Sequence, residues 1–311
     1  MKISILMPTY RRPHQFKEAL ESLALQNRSL IGEIVIGDDT PAAGRAENLA
    51  VIEASGLSPL VRYLAHDPPK GNYPNQLSLG QRAVHEYVLL LHDDDHLCEH
   101  ALDRLAAACQ AETNPAVKIW FGRNLVMDED GRIDEERSRA DTKTYGKDGP
   151  SAVRPVWEWC LRHSLPPNSW LMRADTYREF MWGPRDGNVG DWGMAVRMAN
   201  SGALGSFIAE DISKYRVQAA SVTGSGTNLH YMYEIAHQLK VPPEREAEKK
   251  ELLLFFAEVA TMRYLRAGER GLAWKCFLSP DWRWQRRFSP RGIVTLAMLA
   301  TPDVLWRWKL R

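Results

Sequence analysis

Val88-Leu89-Leu90-Leu91-His92-Asp93-Asp94-Asp95-His96 decides how the rest of this chain is read. Four aliphatic residues run directly into three carboxylates. A short, continuous apolar run is the pattern of a strand buried on both faces of a parallel sheet. Three acids at its end repel one another strongly wherever the dielectric is low. Such a cluster needs either full hydration or a positive partner. A hard divalent cation with oxygen ligands, Mg²⁺ or Mn²⁺ carrying a diphosphate, meets that need economically. A solvated acidic turn is the alternative that the stretch alone leaves open.

Working outward, the residues before this strand alternate between apolar runs and helical periodicity. Ile3-Ser4-Ile5-Leu6-Met7 reads as a first buried strand ended by Pro8. Phe16, Ala19, Leu20, Leu23 and Ala24 then fall at helical spacing across residues 14–26. Glu33-Ile34-Val35-Ile36-Gly37 is the next strand and also ends in acids, Asp38 and Asp39. A helix over 45–54, a strand over 60–64, a polar loop over 66–74 and a helix over 76–86 follow, with a further helix over 99–110 after the acidic strand. Strands alternating with helices predict an α/β fold with a parallel sheet, whose ligands bind at the carboxyl ends of the strands. Tyr10, Asp38, Asp39 and Asp93 to Asp95 all lie at those ends, which makes a nucleotide-diphosphate site the natural reading.

Composition excludes several classes. The 311 residues are 44% hydrophobic and 25% charged with a net charge of +1, which argues against a general nucleic-acid binder. Cys98, Cys109, Cys160 and Cys276 lack metal-ligand spacing and read as reduced thiols. The N-terminal apolar run is too short for a secretory signal, and no stretch approaches the roughly 20 apolar residues of a membrane span. The expectation is a soluble, cytoplasmic protein.

Five segments, in order, resemble the inverting family 2 glycosyltransferases with a GT-A fold. They are Ile5-Leu6-Met7-Pro8-Thr9-Tyr10-Arg11-Arg12-Pro13, Ile34-Val35-Ile36-Gly37-Asp38-Asp39-Thr40, Leu91-His92-Asp93-Asp94-Asp95, Gly190-Asp191-Trp192-Gly193-Met194-Ala195-Val196-Arg197, and Tyr215-Arg216-Val217-Gln218 with Ser221-Val222-Thr223. The resemblance implies a Rossmann-like GT-A catalytic domain over 1–225. It implies that Pro8, Tyr10, Arg12, Asp39 and Asp93 hold the nucleotide, and that Asp94, with Asp95 beside it, binds Mn²⁺ or Mg²⁺. It also implies that Asp191 is the general base of a single displacement with inversion. A plain helix cap is the other reading of Asp191. The donor expected is a UDP- or dTDP-linked sugar, and the acceptor a hydroxyl of a glycan or lipid-linked glycan. His92 and Gln218 depart from the family's usual residues, and the stretch Lys70-Gly71-Asn72-Tyr73-Pro74-Asn75-Gln76-Leu77 holds no arginine where the family has one, leaving Lys70 or Arg82 as substitutes. The alternative function is therefore a non-catalytic nucleotide-sugar-binding or scaffold protein of the same fold.

The remaining expectations concern the acceptor side and the C-terminus. Residues 128–150 are polar and read as an exposed loop, an acceptor-side lid. Asn168, Ser169, Trp170 and Trp192 are candidates for touching sugar or acceptor, since planar rings make platforms for sugars. From residue 226 the chain reads as a helical extension, 226–311, with one helix closed by Gly268. Residues 281–311 carry seven Lys/Arg against two Asp, plus Trp282, Trp284, Trp306 and Trp308. That profile predicts a segment lying on an anionic membrane, at the inner face, as a peripheral attachment.

Overall fold

The computed structural model describes residues 1–218 and 230–301. Strands β1 (Ile3–Thr9), β2 (Ile31–Asp38), β3 (Val61–Ala65) and β4 (Tyr87–Leu90) alternate with helices α1 (Pro13–Ala24), α2 (Arg45–Ala54) and α3 (Asn72–Arg82). These strands are parallel and lie in the order β3-β2-β1-β4. The sheet then continues with β5 (His96–Leu97), α4 (Ala101–Ala111), β6 (Val117–Met127), α5 (Glu135–Thr144), β7 (Ala152–Pro155), α6 (Val156–Leu161), β8 (Leu171–Arg173), α7 (Ala174–Phe180), α8 (Gly190–Asn200) and β9 (Leu204–Arg216). Beyond β4 it is mixed, because β8 runs antiparallel to both β4 and β6, while β6 and β9 are parallel.

Alternation along the strands builds two cores. On β1, Leu6 faces one apolar cluster, while Ile3, Ile5 and Met7 face the other. On β4, Val88 and Leu90 join the first and Leu89 the second. Each strand is buried on both sides, which explains why its sequence is a continuous apolar run. Phe16 and Leu20 of α1 with Leu102 and Leu105 of α4 cover one face. Leu79 of α3 and Trp192 and Val196 of α8 cover the other.

Two boundaries differ from expectation. The third helix begins at Asn72 rather than 76, because Asn72-Tyr73-Pro74 forms its first turn. Proline is tolerated there, where backbone N–H groups have no helical partner. Gly71 precedes it at φ 84°, a left-handed conformation that favours glycine. Within 128–150, expected to be a loop, lies α5, capped by the Asp134 side chain accepting from Arg137 N. Ser138 of α5 is buried and its Oγ accepts from Val126 N at 2.8 Å, fastening the helix to β6.

After residue 230 the described chain is helical, as expected, with α9 (Tyr231–Gln238), α10 (Glu246–Ala267), α11 (Arg270–Leu278), α12 (Trp284–Arg287) and α13 (Pro290–Ala300). Gly268 closes α10 in the left-handed conformation. Met232, Ile235, Leu253 and Phe256 belong to the same apolar cluster as Trp159 and Trp192, so α9 and the start of α10 share the main core. The later helices add a small core of their own around Tyr264, Phe277, Trp282 and Leu299. The expected boundary near 225, the segment Ser221-Val222-Thr223, Trp306 and Trp308 lie outside the described residues.

The two tryptophans of the basic tail that are described have opposite fates. Trp282 is buried, and its Nε1 donates to Thr261 Oγ1 at 2.9 Å. Trp284 is 65% exposed. The expectation of a wholly lipid-facing tail is corrected for Trp282, since an indole with a satisfied N–H in an apolar core is structural. Trp282→Ala should therefore destabilise the protein by about 3–5 kcal/mol in chemical denaturation, while Trp284→Ala stays within about 0.5 kcal/mol.

Candidate active site

The carboxyl ends of β1, β2 and β4 converge on one cleft of about 900 Å³. The register sets this: Thr9 pairs with Asp38 and Leu6 with Leu90, so the residues that follow each strand meet at one edge. Pro8, Tyr10, Arg12, Asp39, Asp93 and Asp94 all line the cleft. Tyr10 keeps an exposed ring, 49% accessible, and its backbone N donates to Asp93 Oδ2 at 3.1 Å.

The two acids that end β2 divide into different tasks. Asp38 is fully buried and accepts from Thr40 N (2.7 Å), Asn48 Nδ2 (2.8 Å) and Tyr63 OH (2.6 Å). It fastens the β2–α2 turn to its own helix and to β3. Asp39 lines the cleft and accepts from Lys70 N at 3.1 Å, Gly71 N at 2.7 Å and the His66 ring at 2.9 Å. It thus fixes the loop that starts α3. Lys70 also lines the cleft, whereas Arg82, at the far end of α3, turns back onto Ser78.

The three consecutive acids are held by groups from distant parts of the chain. Arg12 Nη1 lies 2.5 Å from Asp94 Oδ2 and 3.5 Å from Asp93 Oδ1. Gln218 Nε2 donates to the same Asp94 oxygen at 3.0 Å. Asp95 is buried, with Oδ1 accepting from Arg216 N at 2.8 Å and Oδ2 from Asn168 Nδ2 at 2.6 Å. Arg216, 2% exposed, also donates from Nε to Asp94 O at 2.9 Å and pairs with Glu18 at 2.5 Å. Burial and the neighbouring Asp94 charge push the Asp93 carboxyl up to about 7, and push Asp95 well above the ordinary carboxylate range. Burial likewise holds His92 below the usual imidazole value, against the pull of Asp94 and Asp191.

A divalent cation fits this donor set. His92, Asp94 and Asp95 can each offer one ligand atom, all within 4.8 Å of one another. Among the described residues no donor reaches Asp94 Oδ1, the atom left free on the side chain nearest the cleft. Asp95 has both oxygens engaged by neutral donors, so its geometry suits steadying the loop as much as ligation.

Asp191 sits in the first turn of α8 and lines the same cleft. It is not the helix cap; Val189 holds that position, with no side-chain bond. Its Oδ1 instead accepts from Tyr73 OH at 2.8 Å. Burial and the Asp191 charge raise the Tyr73 hydroxyl well above its ordinary value, so it remains a donor. Gly190 permits this pairing, because a Cβ there would stand 2.6 Å from the Tyr73 ring. Trp192 borders the cleft, with its ring edge-on to His163 at 5.1 Å.

Three expected acceptor residues are corrected. Asn168, Ser169 and Trp170 are at most 1% exposed and do not border the cleft. Asn168 acts from behind, bonding Asp95 and the His92 ring, and Trp170 packs on Tyr177. Sequence reading missed Tyr73, Lys147, His163 and Arg137, all of which line the cleft. Arg137 and Lys147 lay within the 128–150 stretch expected at the acceptor side, and Arg216 within the segment Tyr215-Arg216-Val217-Gln218, but no sequence signal set these residues apart from their neighbours.

With the geometry in place, the chain can be compared with known proteins. Residues 4–174 match the family described as Glycosyl transferase family 2. No curated protein matches the sequence. The structure of residues 1–349 of S. aureus TarS superposes with a TM-score of 0.59 at 16% identity, over 96% of this chain and 80% of that one. Its complex with UDP-GlcNAc gives 0.61 at 15% identity over the same shares. The mannosyltransferase PcManGT from Pyrobaculum calidifontis, with GDP-Man and Mn²⁺, gives 0.59 at 13% identity, over 99% of this chain and 83% of that one. At these identities the likeness is one of fold, and the fold is GT-A-like.

The acid cluster generates a pH prediction. Protons held by Asp93 and Asp95 compete with a cation, and raised carboxyls keep their protons to higher pH. Mn²⁺ affinity should therefore rise as pH increases from about 6 to 8, with proton release on binding. Calorimetry in buffers of different ionisation enthalpy measures both; affinity flat across this range would contradict the assignment.

Proposed function

The chain belongs to glycosyl transferase family 2, and from that premise we propose that it is a metal-dependent, inverting transferase. It moves a sugar from a UDP- or dTDP-linked donor to a hydroxyl of a glycan or lipid-linked glycan. One observation carries the reading: a single cleft gathers the strand-end residues Tyr10, Asp39, Asp93 and Asp94 with Asp191, whose carboxylate is oriented by Tyr73.

In this reading the exposed Tyr10 ring stacks on the base and Asp39, at the cleft edge, accepts from its ring N–H. Asp93 takes the ribose. Asp94, with His92 and Asp95, holds Mn²⁺ or Mg²⁺, and Arg12 shares the diphosphate charge from the other side of Asp94. A cation held there offsets the diphosphate charge and stabilises the nucleotide as a leaving group. Asp191 accepts the acceptor hydroxyl's proton as that oxygen attacks the anomeric carbon, and Tyr73 keeps the carboxylate aimed. One base suffices for a single in-line displacement, with no carboxylate nucleophile.

The C-terminal helices supply a proposed attachment surface. Among the described residues no helix is long and apolar enough to cross a membrane. Arg263, Arg266 and Arg291 line a groove of about 520 Å³ between α10 and α13. Beside it Trp284, Phe288, Ile293 and Val294 are more than half exposed. Arg283 and Arg286 are offset by Glu251 and Glu258, so the groove arginines carry the attraction. We infer that this face rests on an anionic membrane, with the exposed rings at headgroup level.

Two measurements test these readings. Asp191→Asn should lower donor turnover by roughly 10²–10⁴ while UDP affinity changes less than about twofold. Near-normal turnover would return Asp191 to a purely structural role. Separately, the full chain should co-sediment with anionic liposomes at low salt and lose binding as salt rises, with Trp284→Ala/Phe288→Ala weakening it. Absence of binding at low salt would remove the membrane from the account.

A further inference from the structure

Lys147 is a buried cation that makes no ion pair among the described residues and faces the reaction cleft. It lies just after α5, is 5% exposed, and lines the cavity. Its Nζ donates to Asn124 Oδ1 at 3.1 Å and stands 5.8 Å from the Phe121 ring centroid. Among the described residues it has no other side-chain hydrogen bond, and no carboxylate lies within the 4.0 Å of an ion pair. An ammonium has three donors and strong hydration, so a buried one with a single neutral partner is costly unless something anionic completes it. Burial lowers the Lys147 ammonium to about 7, with only a partial offset from Asp141.

Its position ties it to the chemistry. Lys147, His163 and Asp191 line one cleft, together with the Trp192 ring that packs against His163. His163 itself is held at φ 53°, an uncommon conformation for a non-glycine residue, with its ring against Trp192. Arg137, on α5, lines the same wall and has no ion pair among the described residues. The wall formed by α5 and the following turn carries two cations, Arg137 and Lys147, against the single carboxylate of Asp141, and so is net positive where the acid cluster that ends β4 is negative.

Building on the glycosyltransferase reading, we propose that Lys147, assisted by Arg137, binds an anionic group, a phosphate or carboxylate, presented in the cleft beside Asp191. The group belongs either to the acceptor or to the transferred sugar. A charge-assisted bond to a dry ammonium is strong and specific, so this residue selects substrates that carry the anion.

The test uses the full chain with UDP and Mg²⁺ saturating the nucleotide half, and inorganic phosphate as the probe in calorimetry. Lys147→Met should weaken phosphate binding at least about tenfold while UDP affinity stays within about twofold, and Lys147→Arg should retain most of it. The Met variant removes a buried charge, so its thermal midpoint should not fall. A second arm compares UDP-glucuronate with UDP-glucose. A preference for the uronate that vanishes in Lys147→Met assigns the anion to the transferred sugar. Lys147-dependent phosphate binding without such a preference assigns it to the acceptor. Equal phosphate affinity and equal donor preference in wild type and Lys147→Met would overturn the proposal, as would neither probe binding to the wild type. Phosphate binding through Lys147 in a chain that fails to bind UDP would instead leave the anion site standing and remove the nucleotide-sugar reading.

Discussion

Three adjacent carboxylates at the end of a buried strand are the constraint on which this structure turns. Their mutual repulsion is not relieved by their own strand, since β4 offers no charged side chain. Relief comes from Arg12 after β1, Asn168 before β8, and Arg216 and Gln218 at the end of β9. The segments that must be brought together to neutralise the cluster are the ones that wall the cleft. Arg216 is central because its backbone N–H and Nε hold Asp95 and Asp94, while its terminal nitrogens reach Glu129 O after β6 and Glu18 of α1.

This arrangement separates carboxylates that hold turns together from carboxylates that border the cleft. Asp38 and Asp95 have their oxygens occupied by neutral donors and knit turns together. Asp39, Asp94 and Asp191 each border the open cleft. Facing rather than the number of bonds makes the division, since Asp39 accepts three hydrogen bonds, as many as Asp38, and still borders the cleft. A buried tyrosine orients Asp191, its hydroxyl donating to Oδ1 of a carboxylate that borders the cleft. The wall built by α5 and the turn after it presents Lys147 and Arg137 to the same cleft, beside the single carboxylate of Asp141.

The C-terminal helices do more than follow the catalytic half. α9 and the start of α10 share the main core with Trp192, next in the chain to Asp191. Trp192 Nε1 donates to Met232 O at 3.3 Å, so the helix bearing the proposed base is braced from α9. Farther out, Trp282 locks the later helices onto α10, which leaves the basic groove and the exposed rings on a rigid support.

The sequence by itself determined the alternation of β1 to β4 with α1 to α4 (though not the short β5 between β4 and α4), the parallel strands with acids at their ends, and membership of the family. Those properties rest on local periodicity and on short runs of consecutive residues, which a chain displays without folding. It did not determine which of several identical side chains does what. Asp38 from Asp39, Asp94 from Asp95, and Trp282 from Trp284 are distinguished only by which way each faces once neighbours are packed. Nor could it pair Tyr73 with Asp191, or Arg216 with the acids after β4. These partners stand 118 and more than 120 residues apart, and only tertiary packing brings them within hydrogen-bond distance. Lys147 was hidden for the same reason: a lysine in a polar stretch reads as solvated, and only the closing of α5 over β6 takes it out of water.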